Sequence, residues 1–193
     1  MAAKSSKQLE IIAGPNGSGK TTFAQAYFKL RNGKSRFINA DTIAVGLSSG
    51  SADQAAFHAG RVMLKAIEEA LEANQSFAFE STLSGKTWLK TLAKARGAGY
   101  SITIYFVFLK SAELNLRRIK ARVREGGHDI PKSTVIRRYA RSFQNFWNVY
   151  RHECDSWYIF DNSGNTTKQI QSNKVFEALA PEAQQAFIEN FLP

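Results

Sequence analysis

The chain has 193 residues, of which 44% are hydrophobic and 12% aromatic. This composition is enough for one hydrophobic core and excludes a disordered protein. The net charge of +10 indicates an anionic partner. The single cysteine, Cys154, excludes an internal disulfide and indicates a reducing, cytoplasmic compartment. The longest apolar run, residues 102–109, is too short to cross a bilayer, so no membrane role is predicted.

Strands and helices are predicted to alternate along the chain. In chain order, the pattern predicts strand 9–14, helix 20–31, strand 35–40, helix 53–73, strand 76–81, helix 85–97, strand 100–109, helices 111–125 and 132–150, and strand 156–161, with helix again from about 166. This alternation predicts an α/β fold with a central parallel sheet of about five strands flanked by helices. We expect a single domain over residues 1–193.

The first strand and helix are joined by the segment GPNGSGKT, residues 14–21, which matches the P-loop pattern G-x-x-x-x-G-K-[ST]. Its glycines allow backbone N–H groups to converge on a phosphate, and the helix N-terminus adds its dipole. Lys20 is predicted to reach the β and γ phosphates, and Thr21 to offer its hydroxyl to Mg²⁺. The loop therefore predicts a site for ATP and Mg²⁺, with nucleotide contacts from Gly14, Asn16, Gly17, Ser18, Gly19, Lys20, Thr21 and Thr22. The alternative is an ordinary packing turn, which would not require Lys followed by Thr at these positions.

Asp41 directly follows a predicted strand and Glu80 ends the apolar run of another, near the strand ends where ligands of parallel sheets bind. Asp41 is interpreted as the general base that takes the proton of an acceptor hydroxyl, with a helix N-cap as the alternative. Glu80 is a candidate for binding substrate hydroxyls or the water shell of Mg²⁺, and its alternative is an exposed glutamate at a strand end. Thr82, two residues further along the chain, is a further candidate substrate-binding residue.

Most of the positive charge lies in residues 110–151, which hold eleven Lys and Arg but only three acidic residues. On the helix 111–125, an apolar stripe through Ile119 separates two basic flanks, one with Arg117, Lys120 and Arg124 and the other with Arg118 and Arg122. On the helix 132–150, Arg137, Arg138 and Arg141 point away from the predicted core. The two helices are joined by EGGHDIP, a glycine hinge in which His128 is given no role. We interpret residues 111–150 as an arginine-rich lid over a triphosphate, with a solvated cationic face as the alternative.

Together with the loop, the segments NADTIA, FESTLSG, RVREGGHDIP and RRYARSFQNF resemble the zeta toxin family of P-loop kinases, particularly its short bacterial members, over residues 8–163. The resemblance implies an ATP-dependent kinase that phosphorylates a hydroxyl of UDP-N-acetylglucosamine. It also implies an antitoxin protein that blocks the nucleotide site, as in some members.

The resemblance assigns roles by position. Lys20 and Thr21 would hold phosphates and Mg²⁺, Asp41 would be the base, and Glu80 would lie in the acceptor pocket. The lid arginines would be Arg122 and Arg137, with Arg124 and Arg138 as close competitors.

Three functions remain open from the sequence. The leading hypothesis is a small-molecule kinase whose acceptor is anionic, such as a sugar nucleotide. The second is a polynucleotide kinase or RNA-binding NTPase whose basic segment, 110–151, follows a phosphate backbone. The third is a nucleotide-dependent switch that binds ATP without transferring phosphate.

Overall fold

A computed structural model describes residues 7–30, 36–40, 43, 52–127 and 129–193, apart from the side chains of Leu30 and of residues 52–57. Its strands are β1 (Gln8–Ala13), β2 (Arg36–Ile38), β3 (Phe77–Ser81), β4 (Ser101–Phe108), β5 (Ser156–Asp161) and β6 (Lys168–Ser172). Its helices are α1 (Lys20–Leu30), α2 (Ala52–Glu72), α3 (Leu89–Gly97), α4 (Ala112–Arg124), α5 (Lys132–Asn148), α6 (Asn173–Glu177) and α7 (Pro181–Phe191), with a 3-10 turn at Tyr150–His152.

The strands form one sheet in the order β2-β3-β1-β4-β5-β6. Strands β1 to β5 pair in parallel, and β6 pairs antiparallel with β5. The predicted α/β fold with a parallel sheet flanked by helices is therefore confirmed. The prediction of helix from residue 166 is wrong at Lys168–Ser172. This segment, KQIQS, is a polar edge strand that lacks the apolar alternation by which a half-buried strand is recognised.

The sheet has a hydrophobic layer on each face. On one face, Phe77, Phe79 and Phe106 join a large core cluster with side chains of α2, α3, α5 and α7. On the other, Tyr105 and Val107 pack with Ala24 of α1. Because side chains alternate along a strand, β4 supplies both layers and is buried nearly throughout. Within the described ranges, no helix is long and apolar enough to cross a membrane.

Candidate nucleotide site

The glycine loop between β1 and α1 has a backbone that only glycine adopts readily. Gly14, Gly17 and Gly19 have φ angles of 139°, 78° and 90°. Space is also restricted, because a Cβ on Gly14 would lie 1.9 Å from the carbonyl oxygen of Val107. At Gly19, a Cβ would lie 2.4 Å from Nδ2 of Asn162. The loop is therefore closely surrounded by β4 and by the residues that follow β5.

Lys20 and Thr21 begin α1 directly after this loop. The Lys20 ammonium donates a hydrogen bond of 3.0 Å to the carbonyl of Pro15, which turns it back over the loop. The Thr21 hydroxyl donates to Oε2 of Glu80 at 3.1 Å, and Nδ2 of Asn39 donates to Oε1 of the same carboxylate at 3.1 Å. Glu80 reaches Thr21 because β3 lies beside β1, with Ser81 level with Ala13. A hydroxyl and a carboxylate are oxygen donors of the kind that Mg²⁺ binds, so these residues fit the metal predicted from the sequence.

These side chains line a cleft of about 420 Å³ at the carboxyl ends of the parallel strands. The cleft brings together most of the nucleotide-binding and acceptor residues predicted from the sequence. They are Asn16, Gly17, Gly19, Lys20, Thr21 and Thr22 from the loop and α1, and Glu80 and Thr82 from the end of β3. Gly14 and Ser18 do not line the cleft. Both are buried, and Gly14 donates its N–H to the carbonyl of Ser81 at 3.2 Å.

Helix α4 contributes a wall of the cleft. Arg118, Ile119 and Arg122 line the cleft from this helix, and the position of a Cβ on Gly17 would lie 2.9 Å from Cγ1 of Ile119. The α4 helix is capped by Ser111, whose side chain accepts from the N–H of Leu114. The basic flank that contains Arg118 and Arg122 therefore faces the nucleotide loop.

The other predicted arginines lie elsewhere. Arg138, on α5, approaches Oδ1 of Asn16 at 3.5 Å but lines a neighbouring cavity instead of the cleft. The side chains of Arg124 and Arg137 are exposed and line neither the cleft nor that cavity. Asp41 and His128 lie outside the described residues. Ala40, immediately before Asp41, lines the cleft.

The neighbouring cavity has a volume of about 650 Å³ and shares Ser81 and Thr82 with the cleft. Trp88 contributes to its wall and donates its ring N–H to Oγ of Ser81 at 2.7 Å. Two arginines, Arg61 and Arg138, also line it. The cavity therefore adjoins the predicted nucleotide site and contains positive charge.

The end of β5 and the segment after it contact the glycine loop and α4. Asn162 donates from Nδ2 to the carbonyl of Ser18 at 2.8 Å, and Arg118 donates to the carbonyl of Asn162 at 2.7 Å. At Asp161, burial alone would raise the pKa of the carboxyl, but hydrogen bonds from Ser163 and the charge of Lys110 outweigh burial and lower it. The Lys110 ammonium lies 3.5 Å from this carboxylate.

A cluster of three polar side chains joins α1 to the sheet. Tyr27 and Tyr105 donate to Oε1 of Glu10 at 3.1 and 3.2 Å, and their hydroxyls contact each other. Burial, and then the hydrogen bond with Tyr27, raises the pKa of Tyr105. This group attaches α1 to β1 and β4 and so holds the helix on which Lys20 and Thr21 lie.

The sequence did not single out several residues that the fold brings to this site. Arg118 could have been found, because it lies one turn from Arg122 on the same flank. Asn39, Asn115 and Asn162 gave no signal, since asparagines in loops and on helices have many roles.

A glycine loop between a strand and a helix, with Lys20 and Thr21 in a cleft at the carboxyl ends of parallel strands, defines a P-loop phosphate-binding fold. A model of the zeta toxin family matches residues 1–174, so the chain belongs to this family.

The chain is also similar to individual proteins. An uncharacterized protein of Haemophilus influenzae is 33% identical over 132 residues, which cover 67% of this chain and 90% of that protein. A structure of the PezAT chromosomal toxin-antitoxin system of Streptococcus pneumoniae aligns with a TM-score of 0.71 at 15% identity, covering 95% of this chain and 78% of the other. The AvrRxo1-ORF1:-ORF2 structure with ATP aligns with a TM-score of 0.64 at 15% identity, covering 97% and 77%. The two structural matches show a shared fold.

Proposed function

We propose that this protein is an ATP-dependent kinase that transfers the γ-phosphoryl group to a hydroxyl of a small anionic molecule, such as UDP-N-acetylglucosamine or another sugar nucleotide. The observation that carries the proposal is the cleft itself. Lys20, Thr21 and Glu80 lie together in it, and it adjoins a second, positively charged cavity through Ser81 and Thr82. A kinase needs this pair of neighbouring sites, one for the triphosphate and one for the acceptor.

The nucleotide half of the site consists of the loop, α1 and α4. Lys20 neutralises the β and γ phosphates, and the loop amides bind their oxygens. Thr21 would hold Mg²⁺ directly and Glu80 through its water shell, and the bound ion would offset charge on the phosphates. Arg118 and Arg122, which line the cleft, stabilise the negative charge that develops on the transferring group.

The acceptor half consists of the cavity lined by Arg61, Thr82, Trp88 and Arg138. The two guanidinium groups suit an acceptor that carries phosphate or carboxylate. Asp41 takes the proton of the acceptor hydroxyl as the γ-phosphoryl group is transferred, and the position of Ala40 on the cleft wall supports this role. The contact of Glu80 with Thr21 favours a role for this carboxylate on the metal side and not in the acceptor half.

Three wider features belong to this proposal. We expect one kinase domain in which residues 111–150 act as the lid. We expect the protein to work in the cytoplasm. A zeta toxin of this kind would also have an antitoxin partner that covers the nucleotide cleft.

The orientation of the arginines supports a small-molecule acceptor over a nucleic acid. Arg118 and Arg122 line the nucleotide cleft, and Arg138 lines the adjoining cavity. A protein that follows a nucleic acid backbone would instead use these charges along a continuous groove.

The test is incubation of the purified protein with ATP, Mg²⁺ and a panel of metabolites that includes UDP-N-acetylglucosamine, with mass spectrometry to detect an acceptor that has gained one phosphate. We expect Lys20→Ala to abolish transfer. We expect Asp41→Asn to bind ATP nearly as the wild type does but to lose turnover. Lys94→Ala, which removes an exposed lysine on α3, is the control and should transfer normally.

Two results would contradict the proposal. A 5′ phosphate on an oligonucleotide, with no metabolite modified, would indicate a polynucleotide kinase. ATP binding without transfer to any acceptor would indicate a nucleotide-dependent switch. Turnover by Asp41→Asn at the wild-type rate would contradict only the role of Asp41 and would leave the kinase proposal standing.

A further inference from the structure

Two asparagine side chains hold the nucleotide loop from outside. Nδ2 of Asn115, on α4, donates to the carbonyl of Asn16 at 2.6 Å. Nδ2 of Asn162, after β5, donates to the carbonyl of Ser18 at 2.8 Å. The two carboxamides thus bind alternate carbonyls of the same short loop.

The geometry of the peptide bond gives these contacts a consequence inside the loop. A trans peptide is planar, and its C=O and the following N–H point in opposite directions. The described residues contain no cis peptide bond. A carbonyl held toward Asn115 or Asn162 therefore directs the next N–H, that of Gly17 or Gly19, away from the asparagine. Both glycines line the cleft in which the phosphates would bind.

We propose that Asn115 and Asn162 are positioning residues that orient the peptide groups after Asn16 and Ser18, so that the N–H groups of Gly17 and Gly19 are directed toward a bound polyphosphate. This inference rests on the proposed nucleotide site. It adds two residues from distant parts of the chain that act on the phosphates through the loop backbone.

Four hydrogen bonds define the position of Asn162. Its Oδ1 accepts from the Thr167 hydroxyl at 2.7 Å, which leaves Nδ2 to donate to Ser18. Its backbone N–H donates to the carbonyl of Phe108 at 2.9 Å, and its carbonyl accepts from Arg118 at 2.7 Å. Asn162 thereby links the loop to β4 and to the arginine-bearing wall of the cleft.

Asn115 is fully buried on the side of α4 that meets the loop, and its carboxamide binds the loop through Nδ2. The position of a Cβ on Gly17 would lie 2.8 Å from the backbone carbonyl of Asn115, which shows how closely the helix approaches. The N-terminal half of α4 is therefore part of the support of the loop.

The inference can be tested by calorimetric titration of the intact protein with MgATP and, separately, with magnesium tripolyphosphate, which has no base or sugar. The variants are Asn162→Ala, Asn162→Asp and Asn115→Ala. The loss of one orienting hydrogen bond should weaken the binding of both ligands by roughly 3- to 10-fold. Asn162→Asp should weaken it more, because a carboxylate cannot donate to the Ser18 carbonyl and repels it. KM for ATP should rise by more than kcat falls.

Asn173→Ala is the matched control. Like Asn162, Asn173 uses its carboxamide to bind backbone groups elsewhere in the chain. Its Oδ1 accepts from the N–H of Trp157 at 3.3 Å, and its Nδ2 donates to the carbonyl of Asp155 at 3.4 Å. These contacts lie at the start of β5, away from the cleft. The control should lower the melting temperature without changing nucleotide affinity.

The outcomes separate this inference from the proposed function. If the wild type binds neither ligand, the proposed nucleotide site fails. If the wild type binds both and the Asn162 and Asn115 variants bind equally well, only the positioning role fails. Weaker binding of MgATP with unchanged binding of magnesium tripolyphosphate would also overturn the positioning role, since the effect would then lie on the base or sugar. If Asn173→Ala weakened ligand binding equally, the variants would act through general destabilisation and the positioning role would fail.

Discussion

Glu80 shows how a single side chain acquires its role from its neighbours. It ends β3, and its carboxylate accepts hydrogen bonds from Thr21 and Asn39 at 3.1 Å each. The sequence left two roles open, one in the acceptor pocket and one at the metal. The contact with the threonine of the P-loop favours the metal, because a carboxylate at this distance can hold water molecules of the Mg²⁺ shell.

We expect Glu80→Gln to raise the Mg²⁺ concentration needed for half-maximal ATP binding by roughly 10-fold, because the substitution keeps the shape of the side chain but removes its charge. Calorimetric ATP titrations at several Mg²⁺ concentrations measure this change. Glu153→Gln is the control, since Glu153 lies in an exposed ion pair with Arg96. An unchanged Mg²⁺ requirement with a higher KM for the acceptor would place Glu80 in the acceptor pocket.

At the scale of elements, the loop depends on close approach by its neighbours. Gly14 leaves β1 with a φ of 139° and lies against the carbonyl of Val107 in β4. Ile119 and Asn115 of α4 approach the loop closely at Gly17 and Asn16. The loop is therefore held between a central strand and a helix, and its shape depends on both.

We expect Gly14→Ala to destabilise the protein by about 2 to 4 kcal/mol, because alanine is strained at this φ and its Cβ meets backbone that cannot move without disrupting the sheet. Thermal and urea unfolding measure the loss, and nucleotide binding should fall as well. Gly164→Ala is the control, since a Cβ there has no neighbour within 4 Å. Equal stability of the two variants would contradict the packing described for the loop.

At the scale of the whole molecule, the C-terminal helix completes the larger core. Phe191 of α7 contacts the rings of Phe106, Phe143, Phe146 and Trp147. This helix begins at Pro181, beyond the residues 1–174 that match the family model. The part of the chain outside the family match therefore contributes to the stability of the part inside it.

We expect Phe191→Ala to destabilise the protein by about 3 to 5 kcal/mol, since it removes a ring that is only 6% exposed and leaves a cavity among aromatic side chains. Denaturant unfolding gives the free energy of unfolding. Val175→Ala, at a side chain that is 55% exposed, should change it by less than about 0.5 kcal/mol. A Phe191→Ala variant as stable as this control would show that α7 is not part of the core.

The sequence predicted the features that depend on local chemistry. The pattern of Gly14, Gly19, Lys20 and Thr21 requires only neighbouring residues, and the predicted parallel sheet follows from alternating strand and helix periods. The edge strand β6 was missed because its hydrophobic pattern is weak. The role of Asp41 as the base stays a prediction, because this residue lies outside the described part of the chain.

By itself, then, the sequence determined the P-loop, the α/β class and the concentration of positive charge in residues 110–151. Only the tertiary structure decided which of these charges face the cleft, that Glu80 meets Thr21, and that asparagines 99 and 144 residues away in the chain hold the loop. The physical reason is the separation along the chain of the residues that interact. Backbone conformation and hydrophobic period are set by adjacent residues, whereas strand order and helix packing bring distant side chains together.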